Sequence, residues 1–315
     1  MKYRIFIKKI FISIVFYSIC FFNTLNSAEE VFIVLKIDNE IITNADIEKE
    51  SRYLIALNSG LKQLEKAQII NLARNSLVRE KIKKNELVKF YKFGEESRYV
   101  NKVLKDLYLR LNISTEEDFS KYIAQFDLKL EDVKQKLLIE TMWNDLIFNR
   151  YDKRVEIDKK KLEKKIKDQI RENKTQISYL LSEILFNEDD KKKSDNKLKL
   201  INESISKIGF KNTATSYSQS DSSKLGGDIG WVEENQLSDE IRKQLSILKI
   251  NEHTPPISIP GGFLLLMIEE KKETKIKLNF ENEFKKLFLA EKNRQLNQFS
   301  AIFFNKLKSN SNVTQ

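Results

Sequence analysis

The chemically most suggestive stretch of this sequence is a glycine loop. Four of the eight glycines lie between residues 209 and 230, and residues 225–231 read Leu-Gly-Gly-Asp-Ile-Gly-Trp. A run such as Gly-Gly-Asp-Ile-Gly could line an active site or cradle a phosphate. Glycine also marks backbone that adopts positive φ or passes close to another segment. We interpret the run as a tight turn that leads into a strand, with Trp231 as its apolar anchor.

Histidine and cysteine, the usual carriers of catalysis and metal binding, each occur once. His253 lies just before Pro255-Pro256, and we interpret it as a surface turn residue. Cys20 lies in a segment that we expect to be removed. The remaining chain would have no thiol for a disulfide, a nucleophile or a metal site. The sequence therefore predicts neither a metal ion nor a cofactor.

Residues 1–28 have the pattern of an export signal. The first residues include four basic side chains: Lys2, Arg4, Lys8 and Lys9. An uncharged apolar run over 10–22 and a polar, small-residue end follow, so we expect cleavage after Ala28 and a periplasmic location. An uncleaved membrane anchor is the alternative, but the run is shorter than the roughly 20 residues that span a bilayer. We expect no stable membrane insertion after cleavage.

Composition indicates a folded, helix-rich protein. Hydrophobic residues make up 41% of the chain, charged residues 32%, and there are only three prolines. The net charge is +10 at pH 7, but the basic residues are spread along the chain. Nucleic-acid binding requires a clustered basic stripe with aromatic residues, so we predict no nucleic-acid partner.

Hydrophobic periodicity predicts a helical N-terminal domain over residues 29–152. It begins with a short hairpin over 31–42, and Thr43 then caps a helix, with Asp46 in the capping-box position. Amphipathic helices continue to about residue 149. A highly charged helix over 153–175 follows, and we interpret it as a linker.

From residue 176 to 271 the pattern changes to strands alternating with helices, in the order β-α-α-β-α-β-β. This order predicts a small sheet with helices packed on it. Residues 279–308 then form one long helix with an aromatic stripe, which must dock on another domain or a partner. Residues 309–315 are predicted to be a loose tail.

Four short motifs together closely resemble the parvulin family of peptidyl-prolyl cis-trans isomerases, or rotamases. They are Tyr217-Ser218, Gly226-Gly227-Asp228-Ile229-Gly230-Trp231, Pro256-Ile257 and Gly262-Phe263. The whole plan also resembles SurA-type periplasmic chaperones. That resemblance implies an α+β fold: a mostly helical chaperone module, completed by a returning C-terminal helix, with one inserted parvulin-like domain built on a four-stranded sheet.

The resemblance implies three polar catalytic positions, and this chain departs from the family at each. Glu183 stands where the first strand usually carries histidine, Ser220 where cysteine or aspartate is usual, and Leu264 where a second histidine is usual. Leu264 cannot form a side-chain hydrogen bond, ionised Glu183 only accepts, and Ser220 is a neutral hydroxyl. We assign no catalytic residue and expect isomerase activity to be weak or absent.

A substrate-binding surface is predicted to persist. Leu237 and Ile241 resemble the apolar positions of the family's proline pocket, and Leu245 and Phe263 are predicted to extend it. The predicted function is a periplasmic chaperone that binds unfolded outer-membrane or secreted proteins and assists outer-membrane protein assembly. Two alternatives stay open: an active isomerase with an altered site, and a membrane-anchored foldase or scaffold.

Overall fold

The computed structural model describes residues 30–93, 98–171, 176–187, 191–274 and 279–314. The predicted export signal and its cleavage site lie outside these ranges. From Ile33 onward, the described residues form one compact unit.

A hairpin and a set of helices make up the N-terminal part. The hairpin strands are β1 (Ile33–Ile37) and β2 (Glu40–Thr43). The helices are α1 (Asn44–Leu57), α2 (Lys66–Leu87), α3 (Arg98–Arg110), α4 (Glu116–Ala124) and α5 (Leu130–Tyr151). The capping box expected at Thr43 is present, because its Oγ1 accepts from Asp46 N at 3.2 Å and Asp46 Oδ2 accepts from Thr43 N at 2.8 Å. These helices, together with the C-terminal helix described next, are called the helical module below.

The long C-terminal helix α10 (Phe280–Asn310) returns to the helical module. Its Phe303 ring stacks on the fully buried Trp143 ring of α5, with centroids 5.6 Å apart. Trp143 Nε1 also donates to Ser300 Oγ at 2.8 Å. The predicted return of this helix is therefore confirmed, and aromatic burial accounts for it.

The chain beyond α10 is not the loose tail that the sequence predicted. Its described part contains a short strand, β7 (Val313–Thr314), which pairs with β1 and completes a sheet in the order β2-β1-β7. Asn312 N also donates to Asp38 Oδ1 at 3.0 Å. Backbone pairing with a non-local strand leaves no local sequence pattern, which is why the prediction was wrong here.

The charged segment after α5 contains a helix, which is shorter at its start than the helix predicted over 153–175. A short 3₁₀ turn (Asp152–Arg154) precedes α6 (Lys159–Arg171), which packs along α10. Three phenylalanines stack along the first half of α10: Phe280, Phe284 and Phe288. Lys167 and Lys159 of α6 lie over the first and last of these rings, each 5.9 Å from the centroid. The lysine-rich face of α6 thus covers aromatic surface on α10.

The α+β domain contains an antiparallel four-stranded sheet, in agreement with the predicted fold class. The elements are β3 (Gln176–Phe186), α7 (Lys191–Ile208), α8 (Phe210–Tyr217), β4 (Asp228–Glu233), α9 (Asp239–Ser246), β5 (Ile257–Ile259) and β6 (Gly262–Thr274). Their order in the sheet is β4-β3-β6-β5. β5 is an edge strand. Pro255 and Pro256 directly precede it, and at an edge their missing N–H groups interrupt no hydrogen bonds between strands.

The two faces of this sheet have different neighbours, because successive side chains of a strand point to opposite faces. Phe186, Ile184 and Leu265 belong to the apolar cluster that packs on α7 and α8. Leu181 and Leu264 belong to a second cluster with α9 on the other face. Glu183 stands two positions after Leu181 and directly before Ile184, so it lies on the α9 side, where it lines a cavity with Ile241 and Leu264.

Gly227 of the glycine loop passes directly beside β3. Its φ is +82°, and a Cβ there would lie 2.3 Å from Glu183 O. Gly227 O accepts from Glu183 N at 2.8 Å. The predicted positive φ and close approach are both observed. The predicted anchoring by Trp231 is wrong: its side chain is 42% exposed, and Lys272 Nζ lies 3.8 Å from the ring centroid.

Candidate functional site

Glu183 lies at the centre of a polar network on the α9 side of the sheet. The hydroxyls of Ser220 and Ser222 both donate to Glu183 Oε1, the second over 2.9 Å. The two hydroxyl oxygens are 3.0 Å apart. Two of the substituted family positions, Glu183 and Ser220, are thus in direct contact, and Ser222 joins them.

The segment that carries the two serines is fastened to β3. Ser218 Oγ accepts from Leu185 N at 3.0 Å, and Gln219 N donates to Leu185 O at 2.7 Å. Ser220 then caps a 3₁₀ turn (Asp221–Leu225) that leads to Gly226. The backbone of this segment therefore extends the strand edge and brings its hydroxyls to the carboxyl group.

Burial is the largest influence on the titration of Glu183. Burial raises the pKa of the Glu183 carboxyl, the hydroxyls of Ser220 and Ser222 oppose this, and nearby Asp221 adds to the rise. A protonated carboxyl acquires an O–H donor that the carboxylate lacks. When Glu183 is protonated, the network therefore has a proton donor at a position where the family usually has histidine.

Leu264 contributes an apolar surface beside this network. It is 8% exposed and lies in β6, next to Leu185 of β3 and Ile257 of β5 in the strand registers. The third family position is thus part of an apolar floor, and it supplies no polar group to Glu183.

A cavity of about 860 Å³ separates this face of the α+β domain from the helical module. Apolar side chains line it from both sides: Val103, Leu107, Leu137, Ala301 and Phe304 from the helical module, and Ile229, Ile241, Ile257, Ile259 and Leu264 from the α+β domain. Charged side chains are interspersed: Arg79, Lys83, Asp106, Arg110, Glu183, Asp221, Asp228, Glu240 and Arg294. The volume lies within the roughly 300–1,000 Å³ that is usual for ligand pockets, and the lining mixes apolar with charged side chains.

The structure distributes the four predicted substrate-binding residues unevenly around this cavity. Ile241 lines it. Leu245 is buried in the core behind it, and Leu237 packs on the same core cluster. Phe263 lies on the opposite face of the sheet, where its ring stacks on Phe186 with centroids 5.5 Å apart. The alternation of side chains along β6 separates Phe263 from Leu264, so we leave Phe263 out of the candidate surface.

His253 is remote from the polar network. It is half-buried, its ring centroid lies 5.9 Å from that of Phe210, and it pairs with Met267 in an isolated bridge. Phe210 and Met267 belong to the cluster on the opposite side of the sheet. The interpretation of His253 as a surface turn residue is corrected accordingly: it is a partly packed residue.

Sequence reasoning missed Ser222 and the contribution of the helical module. Ser222 stands two residues after Ser220, and the serine-rich run Ser218-Gln219-Ser220-Asp221-Ser222-Ser223 is a signal that could have identified it. Val103 and Leu107 carried no such signal, because a helical stripe does not reveal which of its residues line a groove.

Residues 148–270 match the sequence profile of the rotamase family described as the PPIC-type PPIASE domain. The chain carries a PPIC-type peptidyl-prolyl isomerase domain. Chaperone SurA of Pseudomonas putida is 40% identical over 63 residues, which cover 20% of this chain and 15% of that protein. Chaperone SurA of Pseudomonas syringae is 24% identical over 253 residues, which cover 76% of this chain and 58% of that protein.

The expected similarity to SurA-type chaperones with a parvulin-like domain is therefore confirmed, although the chain spans only part of the length of these relatives. Among solved structures, a PpiC-type isomerase domain is 26% identical and covers 31% of this chain and 94% of its own, with a TM-score of 0.28. A SurA-like chaperone of Campylobacter jejuni is 16% identical and covers 90% of this chain and 98% of its own, with a TM-score of 0.33. No helix in the described part of the chain combines the length and apolarity that crossing a membrane requires.

Proposed function

We propose that this protein is an exported periplasmic chaperone that holds unfolded outer-membrane or secreted polypeptides. In this proposal its parts are the helical domain of residues 29–152, the helix of 153–175, the PPIC-type domain of 176–271 and the returning helix of 279–308. The PPIC-type domain acts mainly as a binding module.

The observation that carries the proposal is the composite cavity of about 860 Å³. Its apolar floor around Ile241 and Leu264 suits an apolar or prolyl side chain of a client. The wall from α3 and α10 supplies further apolar contacts, and the interspersed charges suit the polar backbone of an extended segment. Holding a client requires such shallow, mixed surfaces and no bond chemistry.

Weak isomerase activity follows from the third family position. Prolyl isomerisation needs a rotational barrier of about 18–20 kcal/mol to be lowered by the electrostatic environment of the twisted amide. Leu264 replaces a group that could hydrogen-bond, and its buried side chain excludes water from that place. The remaining polar network is confined to Glu183 and the two serines.

The test is suppression of aggregation when a urea-unfolded outer-membrane β-barrel protein is diluted into buffer, followed by light scattering. The full chain is expected to suppress scattering, and Ile241→Ala is expected to require several-fold more protein, because it removes apolar surface from the cavity. Ile247→Ala is the matched control, since Ile247 follows the same helix but is 80% exposed and outside the cavity. Absence of suppression by the wild type would exclude the proposal.

A second function, an active isomerase with an altered site, is favoured by one observation: Glu183 is connected to Ser220 and Ser222. In this alternative, the protonated carboxyl replaces the family's histidine as a donor. Cis-to-trans relaxation of an alanyl-prolyl peptide decides between the two functions. A rate above the uncatalysed level that falls in Glu183→Leu would favour the isomerase, and an uncatalysed rate in both proteins would remove it.

A further inference from the structure

The segment that carries Ser220 and Ser222 is bonded on two sides. One side is β3 of its own domain, as described above. The other side is the helical module, where Arg79 of α2 donates to three acceptors of the segment. Its Nη2 donates to Ser218 O at 2.9 Å, and its Nη1 donates to Ser220 O and Ser223 Oγ, both at 3.1 Å. The planar guanidinium thus binds two carbonyl oxygens and one hydroxyl oxygen of the segment.

Ion pairs next to Arg79 join the same two parts of the molecule. Lys83, one helical turn further along α2, is buried and donates to Asp221 Oδ1 at 2.7 Å and to Glu140 Oε2 at 2.5 Å. Lys224 of the segment donates to Glu140 Oε1 at 3.1 Å. The helices therefore pair with an anionic side chain, Asp221, and with a cationic side chain, Lys224, of this part of the chain.

Arg79 is partly buried, so its charge depends on hydrogen-bond and charge partners within the protein. Burial lowers the pKa of its guanidinium, while the carboxylates of Asp221 and Glu140 counteract that effect. A cation held away from water is stabilised only when its donors are satisfied. The three acceptors of the segment satisfy Arg79 only when the segment occupies its present position.

We propose that Arg79 is a positioning residue: from the helical module it holds the Ser218–Ser223 segment, which is also bonded to β3, in the position where the hydroxyls of Ser220 and Ser222 meet Glu183. The chaperone module thereby sets the state of the candidate site on the PPIC-type domain. The role of Arg79 in positioning the segment does not depend on what the site binds. The effect of Arg79 on peptide binding rests on the proposed function.

The first arm of the test measures the segment directly, by hydrogen–deuterium exchange on the full chain. In Arg79→Met, exchange of the amides of Gln219 and Gly227 is expected to accelerate roughly tenfold or more, because hydrogen bonds from a charged donor are lost. The amides of β6 are expected to keep their protection, which excludes general unfolding. The matched control is Arg52→Met, since the ion-pair partners of Arg52 are Glu48 and Asp127 in the helical module. Unchanged exchange at residues 218–227 in Arg79→Met would overturn the inference.

The second arm measures binding of a fluorescein-labelled peptide with an apolar residue before proline, by anisotropy. Arg79→Met and Ser220→Ala are each expected to weaken binding roughly tenfold, and the double variant no further, since both act through one segment. Arg79→Lys keeps the charge without the planar fork and is expected to bind as weakly as Arg79→Met. Additive losses, or full affinity in Arg79→Lys, would overturn the positioning role. If the wild type binds no such peptide, the proposed site fails, and the exchange arm still decides the role of Arg79.

Discussion

The hydroxyl of Ser222 donates to Oε1 of Glu183 over 2.9 Å, across the boundary between a loop and the central strand β3. Ser220 donates to the same oxygen. The carboxyl group therefore has hydroxyl donors on one oxygen while burial opposes its ionisation. This balance makes the site sensitive to pH.

The free energy of unfolding is expected to depend on pH through Glu183. Because burial holds the pKa of Glu183 above its ordinary value of 4.5 in the folded protein, the folded state retains a proton that the unfolded chain releases first. Stability from this group is thus present at low pH and declines as pH rises through the range between the two pKa values. Glu183→Gln has no carboxyl group at this position and should not show this decline. Above pH 4.5, the melting temperature of the variant should therefore rise relative to that of the wild type as the pH increases. A difference that is constant with pH would contradict this expectation.

Glu140 is expected to show the opposite dependence. Burial would raise its pKa, but the ammonium groups of Lys83 and Lys224 outweigh burial and hold the pKa below its ordinary value of 4.5. The stability that it contributes is fully present above 4.5 and is lost as pH falls toward the lower, folded-state pKa. Replacing one member of a buried ion pair costs about 3–5 kcal/mol. At pH 7, Glu140→Gln should lose that much in urea unfolding, with a difference from wild type that narrows below pH 4.5.

Glu117→Gln provides the control for Glu140→Gln. Glu117 pairs with Lys121 on the surface of α4, where both side chains are exposed. Exposed pairs contribute about 0–1 kcal/mol, so this variant should unfold close to the wild type at all pH values. Equal effects of the two substitutions would show that burial of Glu140 is energetically unimportant.

Gly227→Ala is expected to destabilise the protein more than Gly230→Ala. Both glycines have positive φ, +82° and +77°, so both variants incur the cost of left-handed backbone, about 1–2 kcal/mol. Only at Gly227 would the new Cβ also meet backbone, 2.3 Å from Glu183 O, whereas nothing lies within 4 Å at Gly230. Thermal unfolding followed by circular dichroism should give the lower melting temperature for Gly227→Ala. Equal melting temperatures would mean that the loop can move away from β3 at no cost.

Phe303→Ala is expected to undo the docking of the C-terminal helix. Phe303 is buried, stacks on Trp143 and contacts Tyr151 edge-on at 6.1 Å. Truncating a buried phenylalanine costs about 3–5 kcal/mol. Ile302→Ala, at the neighbouring and 48% exposed position, should cost about 1 kcal/mol or less. Denaturant unfolding of the two variants compares their free energies of unfolding. Similar losses in both would show that burial of the Phe303 ring is not a main source of the stability that α10 provides.

Local sequence signals predicted much of the fold. Thr43 and Asp46 predicted a helix start because a capping box needs only four consecutive residues. The glycine loop predicted positive φ and a close approach, and Gly227 shows both. The aromatic stripe of residues 279–308 predicted docking, since such surface is not stable in water. Trp231 and the short strand β7 were misjudged, because exposure and strand pairing depend on distant neighbours.

The candidate site was predictable only in part. The sequence itself determined that Glu183, Ser220 and Leu264 replace the polar groups of the parvulin pattern, because a side chain's hydrogen-bonding capacity is a property of its residue type. Which groups meet was decided by tertiary structure. Arg79 and Ser220 are 141 positions apart, and their contact requires the docking of the helical module on the PPIC-type domain. Docking sums many weak contacts from several elements, and no local pattern encodes that sum.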